Sequence, residues 1–351
     1  MAGVHVAVVG ATGAVGQEML AILQERDFPV RSIRLLASKR SVGKSFPFRG
    51  DSVGVQELTR NAFRGIDLAL FSAGADRSKQ FAPYAVKAGA VVIDNSSAFR
   101  MDPSVPLVVP EINPQEIRKH KGIIANPNCT TIITLMGLYP LQPFGIRRVI
   151  LSSYQAVSGA GAWAIEELRR QTLEWALQEI RNMTLGTQET AVLRPEKFPH
   201  PIAFNLIPHI DTFLEGGYTK EEMKCLLESR KILNQPDLQV SATTVRVPVF
   251  RSHSVSVHIE TARPVSVAKA RSMIRKAKGV QLWDQPEKAR YPTPIQVAGK
   301  DDCLVGRIRK DDTVPNGLCL WIVGDQLRKG AALNAIQIAE ALLGISPPGK
   351  A

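Results

Sequence analysis

Cys129 follows Asn126-Pro127-Asn128 and precedes an apolar run from Thr130 to Leu138. Gly122-Ile123-Ile124-Ala125 reads as a strand, the Asn-Pro-Asn segment as a turn and the apolar run as a helix, which puts Cys129 at a helix N-terminus. Unpaired amides and the positive end of the helix dipole favour a thiolate there, predicting a lowered thiol pKa and a nucleophile near neutral pH. The same amides could hold an acyl oxygen. Cys225, Cys303 and Cys319 lack this context and read as small buried hydrophobes. No two of the four cysteines form a C-x-x-C pair, so reduced thiols in a cytoplasmic protein are expected.

A second constellation begins the chain. Val4 to Val9 runs into Gly10-Ala11-Thr12-Gly13-Ala14-Val15-Gly16 and then a helical stretch. A strand feeding a glycine turn that opens a helix is the context of a dinucleotide-binding fingerprint, here as G-x-x-G-x-x-G. Gly10 suits the tight turn, Gly13 close approach of a pyrophosphate and Gly16 helix packing, while Thr12, Ala14 and Val15 lie where backbone amides would face that ligand. The competing reading is a plain strand-to-helix turn. The second strand ends in Ala37-Ser38-Lys39-Arg40, with no acid to bond a ribose 2′-hydroxyl. A hydroxyl and two cations suit a 2′-phosphate, so NADP(H) is expected over NAD(H), unless Lys39 and Arg40 are ordinary solvated loop charges. Ser72, Ala73 and Gly74 close the strand Leu68 to Phe71 near the expected crevice. Ser41-Val42-Gly43-Lys44-Ser45 is not a P-loop, because the required first glycine would be residue 38, a serine.

The elements that must position these residues fall into two groups. Apolar runs at Val4 to Val9, Ile33 to Ala37, Leu68 to Phe71, Val91 to Asp94 and Ile123 to Ala125 alternate with helix-length stretches, the first about Ala14 to Arg26. That pattern predicts a parallel, doubly wound Rossmann-type α/β domain. Beyond Cys129 a charged helix from about Gly161 to Met183 carries Ile165, Leu168, Leu173, Ala176, Leu177 and Ile180, a stripe expected to face a core. Val149 to Tyr154, Thr243 to Val247, Ser254 to Glu260, Leu304 to Ile308 and Leu318 to Val323 read as strands of a mixed sheet in a second, α+β domain. The apolar segment Leu327 to Leu343 is expected to pack back on the first domain. The predicted domains are 1–128 plus 327–351, and 129–326.

At 351 residues, 44% apolar and 22% charged, the chain has the composition of a soluble two-domain protein. Its net charge of +12 would attract phosphates on a cofactor, a metabolite or nucleic acid. Aromatic residues are only 6% and no basic run is interleaved with them, which speaks against nucleic acid. The charge-free stretch Gly122 to Ile146 is broken by Pro127, Pro140 and Pro143, so no membrane span is expected. The first residues enter a strand directly, so no secretory segment is expected, and no metal-binding motif appears.

Four segments in order resemble the aspartate-semialdehyde dehydrogenase family: the glycine turn, Asp94-Asn95-Ser96-Ser97-Ala98-Phe99-Arg100, Asn126-Pro127-Asn128-Cys129-Thr130-Thr131, and Ser152-Ser153-Tyr154-Gln155-Ala156-Val157-Ser158-Gly159. Glu221-Glu222-Met223-Lys224, Arg246-Val247-Pro248-Val249 with His253-Ser254, and Gly324 to Ala332 extend the likeness over nearly the whole chain. The resemblance implies reversible NADP-dependent conversion of L-aspartyl 4-phosphate to L-aspartate 4-semialdehyde through a cysteine thioester, on the route to lysine, threonine, methionine and isoleucine. It implies Cys129 as nucleophile and His253 as acid/base, able to deprotonate the thiol and shuttle the thiohemiacetal proton. It further implies Gln155, Glu221 and Arg246 on the substrate, Arg100, Lys224 and Asn128 at the phosphate, and Ser158, Gly159 and Gln326 beside the nicotinamide. A homodimer, sometimes paired into a tetramer, is implied as well. The nearest rival is N-acetyl-glutamyl-phosphate reductase, with the same chemistry on a longer substrate; Glu221, Lys224 and Arg246 favour aspartyl phosphate. A redox-sensing or nucleic-acid-binding protein on a dinucleotide fold is the alternative from another class. Leu185 to His209 carries no recognisable motif, and Cys225 no assignable role.

Overall fold

The structure is a computed structural model that describes residues 3–345. The end of the predicted first domain, 346–351 with its two prolines, lies outside the described residues.

Seven strands build the first sheet: β1 (Val4–Val9), β2 (Val30–Ala37), β3 (Ser45–Phe48), β4 (Asp51–Glu57), β5 (Leu68–Phe71), β6 (Val91–Asp94) and β7 (Ile123–Ala125), in the spatial order β3-β4-β2-β1-β5-β6-β7. All neighbours are parallel except β3 and β4. Helices α1 (Ala14–Glu25) and α2 (Ala75–Lys87) are crossovers. β1 is buried from Val6 to Val9 and β5 throughout, as strands covered on both faces must be. The order reverses at β1, between β2 and β5, where a doubly wound sheet opens a crevice at the strand C-termini.

The β3–β4 hairpin is absent from the sequence reading. Its Arg49-Gly50 link has both residues at positive φ, 52° and 90°, the backbone of a two-residue hairpin turn. Pro47 is tolerated because β3 is an edge strand. The signal was the alternation of Phe46 and Phe48 in one strand and of Val53 and Val55 in the other, with Phe46 opposite Val53 and Phe48 opposite Asp51, masked by exposed neighbours.

The second sheet contains β8 (Ile146–Gln155), β9 (Gln239–Arg246), β10 (His253–Thr261), β11 (Val280–Leu282), β12 (Cys303–Asp311) and β13 (Gly317–Gly324), ordered β11-β12-β13-β10-β8-β9. It is mixed: β8–β9 and β11–β12 are parallel, the other pairs antiparallel. Helices α3 (Cys129–Leu138), α4 (Ala162–Leu185), α5 (Lys220–Leu233), α6 (Val267–Arg275) and the short α7 (Pro294–Val297) belong to this half. α3 is buried along its length and packs Ile132, Ile133, Leu135 and Met136 with Val255, Val257, Leu320 and Ile322.

The C-terminal segment is not one regular helix. Arg328–Ala332 forms a π-helical turn before α8 (Leu333–Leu343). Leu333, Ala335, Ile336, Ile338 and Ala339 join Val6, Val8 and Leu70 in the core of the first sheet, so the segment does return there.

α4 departs from expectation. Of its predicted core stripe only Leu168 is fully buried, while Leu173, Leu177 and Ile180 are exposed together with Trp163 and Met183. Its buried polar face instead holds the motif-free segment that follows. Glu167 accepts the amides of Glu196 and Lys197, and Gln171 accepts those of Ile202 and Ala203. Such side chains substitute for the partners an irregular backbone lacks. Ile207 then exchanges two backbone hydrogen bonds with Arg246.

Candidate active site

The cleft lies where the C-terminal ends of the first sheet meet α3, α5 and the end of β8. A cavity of about 420 Å³ is lined from the first half by Val15, Ser72, Asn95 and Arg100, and from the second by Cys129, Gln155, Ser158, Gly159, Glu221, Lys224, Arg246 and Gln326. The cavity brings together predicted residues as far apart as 15 and 326, whereas Gly10, Thr12, Gly13, Ala14, Ser38, Lys39, Arg40 and His253 are not among its lining residues.

Asn128 is the N-cap of α3. Its side-chain oxygen accepts the amides of Thr130 and Thr131, and its backbone N–H donates to Glu228 at 2.6 Å. Cys129 is therefore the first helical residue, as predicted. Its ionisation is not. Removal from water, reinforced by the Glu221 carboxylate, pushes the thiol up to about 11, against opposing pulls from Arg100, Arg246 and Thr130. The favourable helix terminus predicted a low value; desolvation and a neighbouring acid outweigh it in the ligand-free cleft.

α5 lays Glu221, Lys224 and Glu228 along one face by its three- and four-residue spacing, after a Thr219–Glu222 capping box has fixed its start. Glu221 accepts from the Asn128 amide group at 3.0 Å and from Gln155 at 3.3 Å, and pairs with Lys224 at 3.1 Å. Lys224 also reaches Asp211 at 2.7 Å. Burial works against its charge, but the two carboxylates more than compensate and raise its pKa. Lys224 is thus already bridged between two acids rather than being a free phosphate cation. Arg100 is similarly committed: it bonds Glu228 at 3.0 Å, the Asn126 carbonyl at 2.9 Å and the Asn95 carbonyl at 2.7 Å.

Arg246 differs. It is buried, its side chain donates to the Ala156 carbonyl at 2.7 Å, and among the described residues no carboxylate pairs with it. Burial lowers its pKa against the attraction of Glu221. A desolvated guanidinium with one neutral partner is a receptor for a carboxylate.

His253 opens β10 and is wholly buried. Its Nδ1 accepts the Ala156 amide at 3.1 Å, so neutral His253 carries its proton on Nε2, and Nε2 has no partner. Burial first, and Arg246 second, hold its pKa well below the ordinary value. A β-carbon on Gly159 would stand 3.2 Å from this nitrogen and 3.0 Å from Arg246 Nη1, so the absent side chain at 159 leaves room for both. With the proton on Nε2 the imidazole is a donor at rest, whereas the sequence reading began with it as the thiol's base.

The dinucleotide side has the required backbone. Gly10 adopts φ +87°, and a β-carbon there would lie 2.3 Å from the Ser72 carbonyl oxygen; one on Gly16 would lie 2.3 Å from the Gly10 oxygen. Gly13 caps α1 without a side chain, which leaves the Ala14, Val15 and Gly16 amides without helical acceptors. Thr12 lies in this turn, its carbonyl accepting from Gln17. Ser38 precedes a 3-10 turn over Lys39–Ser41, with Lys39 and Arg40 exposed and in no ion pair among the described residues. At the opposite end Gln326 accepts the Ser252 amide and donates to Ser158.

Several cleft residues escaped the sequence reading. Asn95 follows Asp94, whose carboxylate is held by Ser78 and Ser96, and both side-chain polar atoms of Asn95 are buried without a partner among the described residues. Asp211 comes from the motif-free segment. Glu228 lies two turns beyond Glu221, a spacing that could have revealed it. Gly330 of the π turn packs so closely that a β-carbon would stand 3.0 Å from that of Cys129.

The chain matches the family description "Semialdehyde dehydrogenase, NAD binding domain" over residues 5–120 and "Semialdehyde dehydrogenase, dimerisation domain" over 135–329. The aspartate-semialdehyde dehydrogenase of Aquifex aeolicus is 52% identical over 97% of this chain and 98% of its own length, and that of Bacillus subtilis 50% identical over 97% of each. The crystal structure of aspartate semialdehyde dehydrogenase II from Vibrio cholerae superposes with TM-score 0.90 at 45% identity, covering 97% of this chain and 99% of that one. The same enzyme complexed with ASA gives the same score over 97% and 98%, and the Candida albicans enzyme with NADP scores 0.73 at 25% identity over 97% and 98%. Likeness of this extent in sequence and in three dimensions leads to one conclusion: the chain belongs to the aspartate-semialdehyde dehydrogenase family.

Proposed function

We propose that the chain catalyses the reversible, NADP-dependent reductive dephosphorylation of L-aspartyl 4-phosphate to L-aspartate 4-semialdehyde and phosphate, supplying lysine, threonine, methionine and isoleucine synthesis in the cytoplasm. The observation that carries this reading is Arg246, a buried cation without a carboxylate partner among the described residues, lining the same cavity as Cys129. It calls for an anionic substrate beside a nucleophile.

In this scheme Arg246 binds the substrate α-carboxylate and Glu221 its ammonium group, with Gln155 beside them. Arg100 and Lys224 face the phosphate through N–H groups not spent on their protein partners, and Asn128 holds the start of α3. Cys129 sulfur attacks the acyl carbon. Because the resting thiol is un-ionised at neutral pH, its proton is lost as the sulfur attacks and passes to the phosphate oxygen that departs. The Nε2–H of neutral His253 hydrogen-bonds to the carbonyl oxygen as it becomes tetrahedral, and keeps its proton. The C–O bond to phosphate breaks, leaving a thioester on Cys129.

Gly10, Thr12, Gly13, Ala14 and Val15 would hold the dinucleotide pyrophosphate, Ser38, Lys39 and Arg40 its 2′-phosphate, and Ser72, Ser158, Gly159 and Gln326 its nicotinamide end. When bound, that group supplies the hydride to the thioester carbon. The same Nε2–H holds the oxygen that is negative after reduction; as its carbonyl re-forms the C–S bond breaks, the aldehyde leaves and the Cys129 sulfur regains a proton from solvent. Residues 1–128 with 327–351 serve the cofactor, and 129–326 catalysis and dimerisation. The exposed apolar residues of α4 support a homodimer through the second half. Among the described residues no helix is long and apolar enough to cross a membrane.

The test is phosphate-dependent reduction of NADP by aspartate semialdehyde, with mass spectrometry of quenched mixtures. The expected result is an acyl adduct on Cys129 alone and none in Cys129→Ala. Full activity in Cys129→Ala, or a label spread equally over the other thiols, removes the reading.

A further inference from the structure

Three ligand-type atoms converge on the second sheet, outside the cleft. Val255, Val257 and Ile259 of β10 and Leu318, Leu320 and Ile322 of β13 face the core that contains α3. By strand alternation His258 and Cys319, direct cross-strand neighbours, face the other way. Asp311 ends β12, on the far side of β13 from β10. Its carboxylate reaches across β13 because its cross-strand partner is Gly317; a β-carbon there would stand 2.8 Å from that of Asp311.

The result is unusual in its convergence. Asp311 Oδ2 lies 3.0 Å and Cys319 Sγ 3.3 Å from one and the same atom, His258 Nδ1, and the three lie within 4.8 Å of one another. In a Cys-His-Asp relay the two partners would use different ring nitrogens. Here Nδ1 can offer its one proton to the Asp311 carboxylate, and the protonated Cys319 thiol, a donor as well, has that same carboxylate as a partner. The other Asp311 oxygen is taken by the Thr313 amide and hydroxyl. Arg309, cross-strand from Cys319, is the neighbouring cation, and its guanidinium donates to the Arg307 carbonyl.

A cation would use all three lone pairs at once. Nitrogen, sulfur and carboxylate oxygen in one set fit zinc-class ions better than magnesium or calcium. Tetrahedral ligation separates N and O by about 3.4 Å and N and S by about 3.6 Å, so these two distances need open by only a few tenths of an ångström. We propose that His258 Nδ1, Asp311 Oδ2 and Cys319 Sγ form a site for a zinc-class divalent cation, with a fourth position for water. Binding releases the Cys319 proton to solvent and forms the metal–sulfur bond; thiolate and carboxylate together balance the charge of the ion. The ion would tie β10, β13 and β12 together without touching the cleft.

Cobalt(II) is the probe, in full-length Cys129→Ser protein so that the cleft thiol does not compete. It is supplied both during expression and after chelator treatment, so that burial of this face in an assembly does not limit access. The expected result is one cobalt per chain with tetrahedral absorption and a thiolate-to-cobalt charge-transfer band, displaced by zinc. Cys319→Ser should abolish the band, and His258→Ala and Asp311→Asn should each weaken binding by about tenfold or more. Absence of the band, its persistence in Cys319→Ser, or unchanged affinity in both other variants overturns the proposal. The readout is independent of turnover, so its failure leaves the proposed reaction untouched. Cys319→Ser in the otherwise unaltered chain should keep dehydrogenase activity.

Discussion

Glu228 accepts the backbone N–H of Asn128 at 2.6 Å, one residue ahead of the nucleophile. Its second oxygen holds Arg100 at 3.0 Å, so one buried carboxylate ties α5 to both the start of α3 and the end of the Asp94–Arg100 loop. Burial raises its pKa, and those two partners oppose the rise.

Glu228→Ala leaves the Arg100 guanidinium buried without its acid, a loss of about 3–5 kcal/mol in this kind of setting. Chemical denaturation should show it. Glu228→Gln retains a hydrogen-bonding group and should cost clearly less; equal losses in the two variants would mean that the charge plays no part.

The Cys129 thiol should react slowly with iodoacetamide in the ligand-free enzyme. With the pKa pushed up to about 11, against 9 for an ordinary cysteine, thiolate at pH 8 is lower by about a hundredfold. Deprotonation gains as pH rises, so the alkylation rate should climb through pH 9 and 10. A plateau already reached near pH 7 would instead reveal a thiolate paired with imidazolium.

Arg246→Lys keeps the charge and loses the planar fork. KM for the semialdehyde should rise by about tenfold or more, with a smaller change in kcat. An unchanged KM would place the substrate carboxylate elsewhere.

Gly159→Ala introduces a methyl group 3.0 Å from Arg246 Nη1 and 3.2 Å from His253 Nε2. The fold should survive, because the displaced atoms are side-chain ends. A shift of a few tenths of an ångström in both groups should lower kcat/KM by about ten- to a hundredfold. Wild-type kinetics would show that neither group's position is critical.

Replacing Lys39 and Arg40 together by alanine should raise KM for NADP by about tenfold or more while leaving NAD nearly unaffected, since only the 2′-phosphate distinguishes the two. Parallel changes for both cofactors would indicate a general field effect.

The first sheet was legible because β5 and β7 are uninterrupted apolar runs and β1 and β6 depart from one only at His5 and at the terminal Asp94, as burial on both faces demands. The β3–β4 hairpin was not, because strands so exposed lose the alternation that marks them. Cys129 could be placed at its helix start from Asn-Pro-Asn alone, yet its ionisation could not be read, since desolvation and the approach of Glu221 are tertiary facts 92 residues apart in sequence. The tautomer of His253 likewise depends on the Ala156 amide. α4 misled for another reason: periodicity records that a face is apolar, not that this chain covers it.

The π turn at Arg328–Ala332 gives the last segment two rotational phases. Each residue of a helix advances the side-chain direction by about 100°, so deleting one residue here would swing everything on one side of the turn relative to the other. Gly330 would rotate off the nucleophile and Gln326 off Ser158 and Ser252, or Leu333 to Ala339 would rotate out of the first core. The irregularity lets a single stretch of chain satisfy two surfaces that an unbroken spiral could not face together.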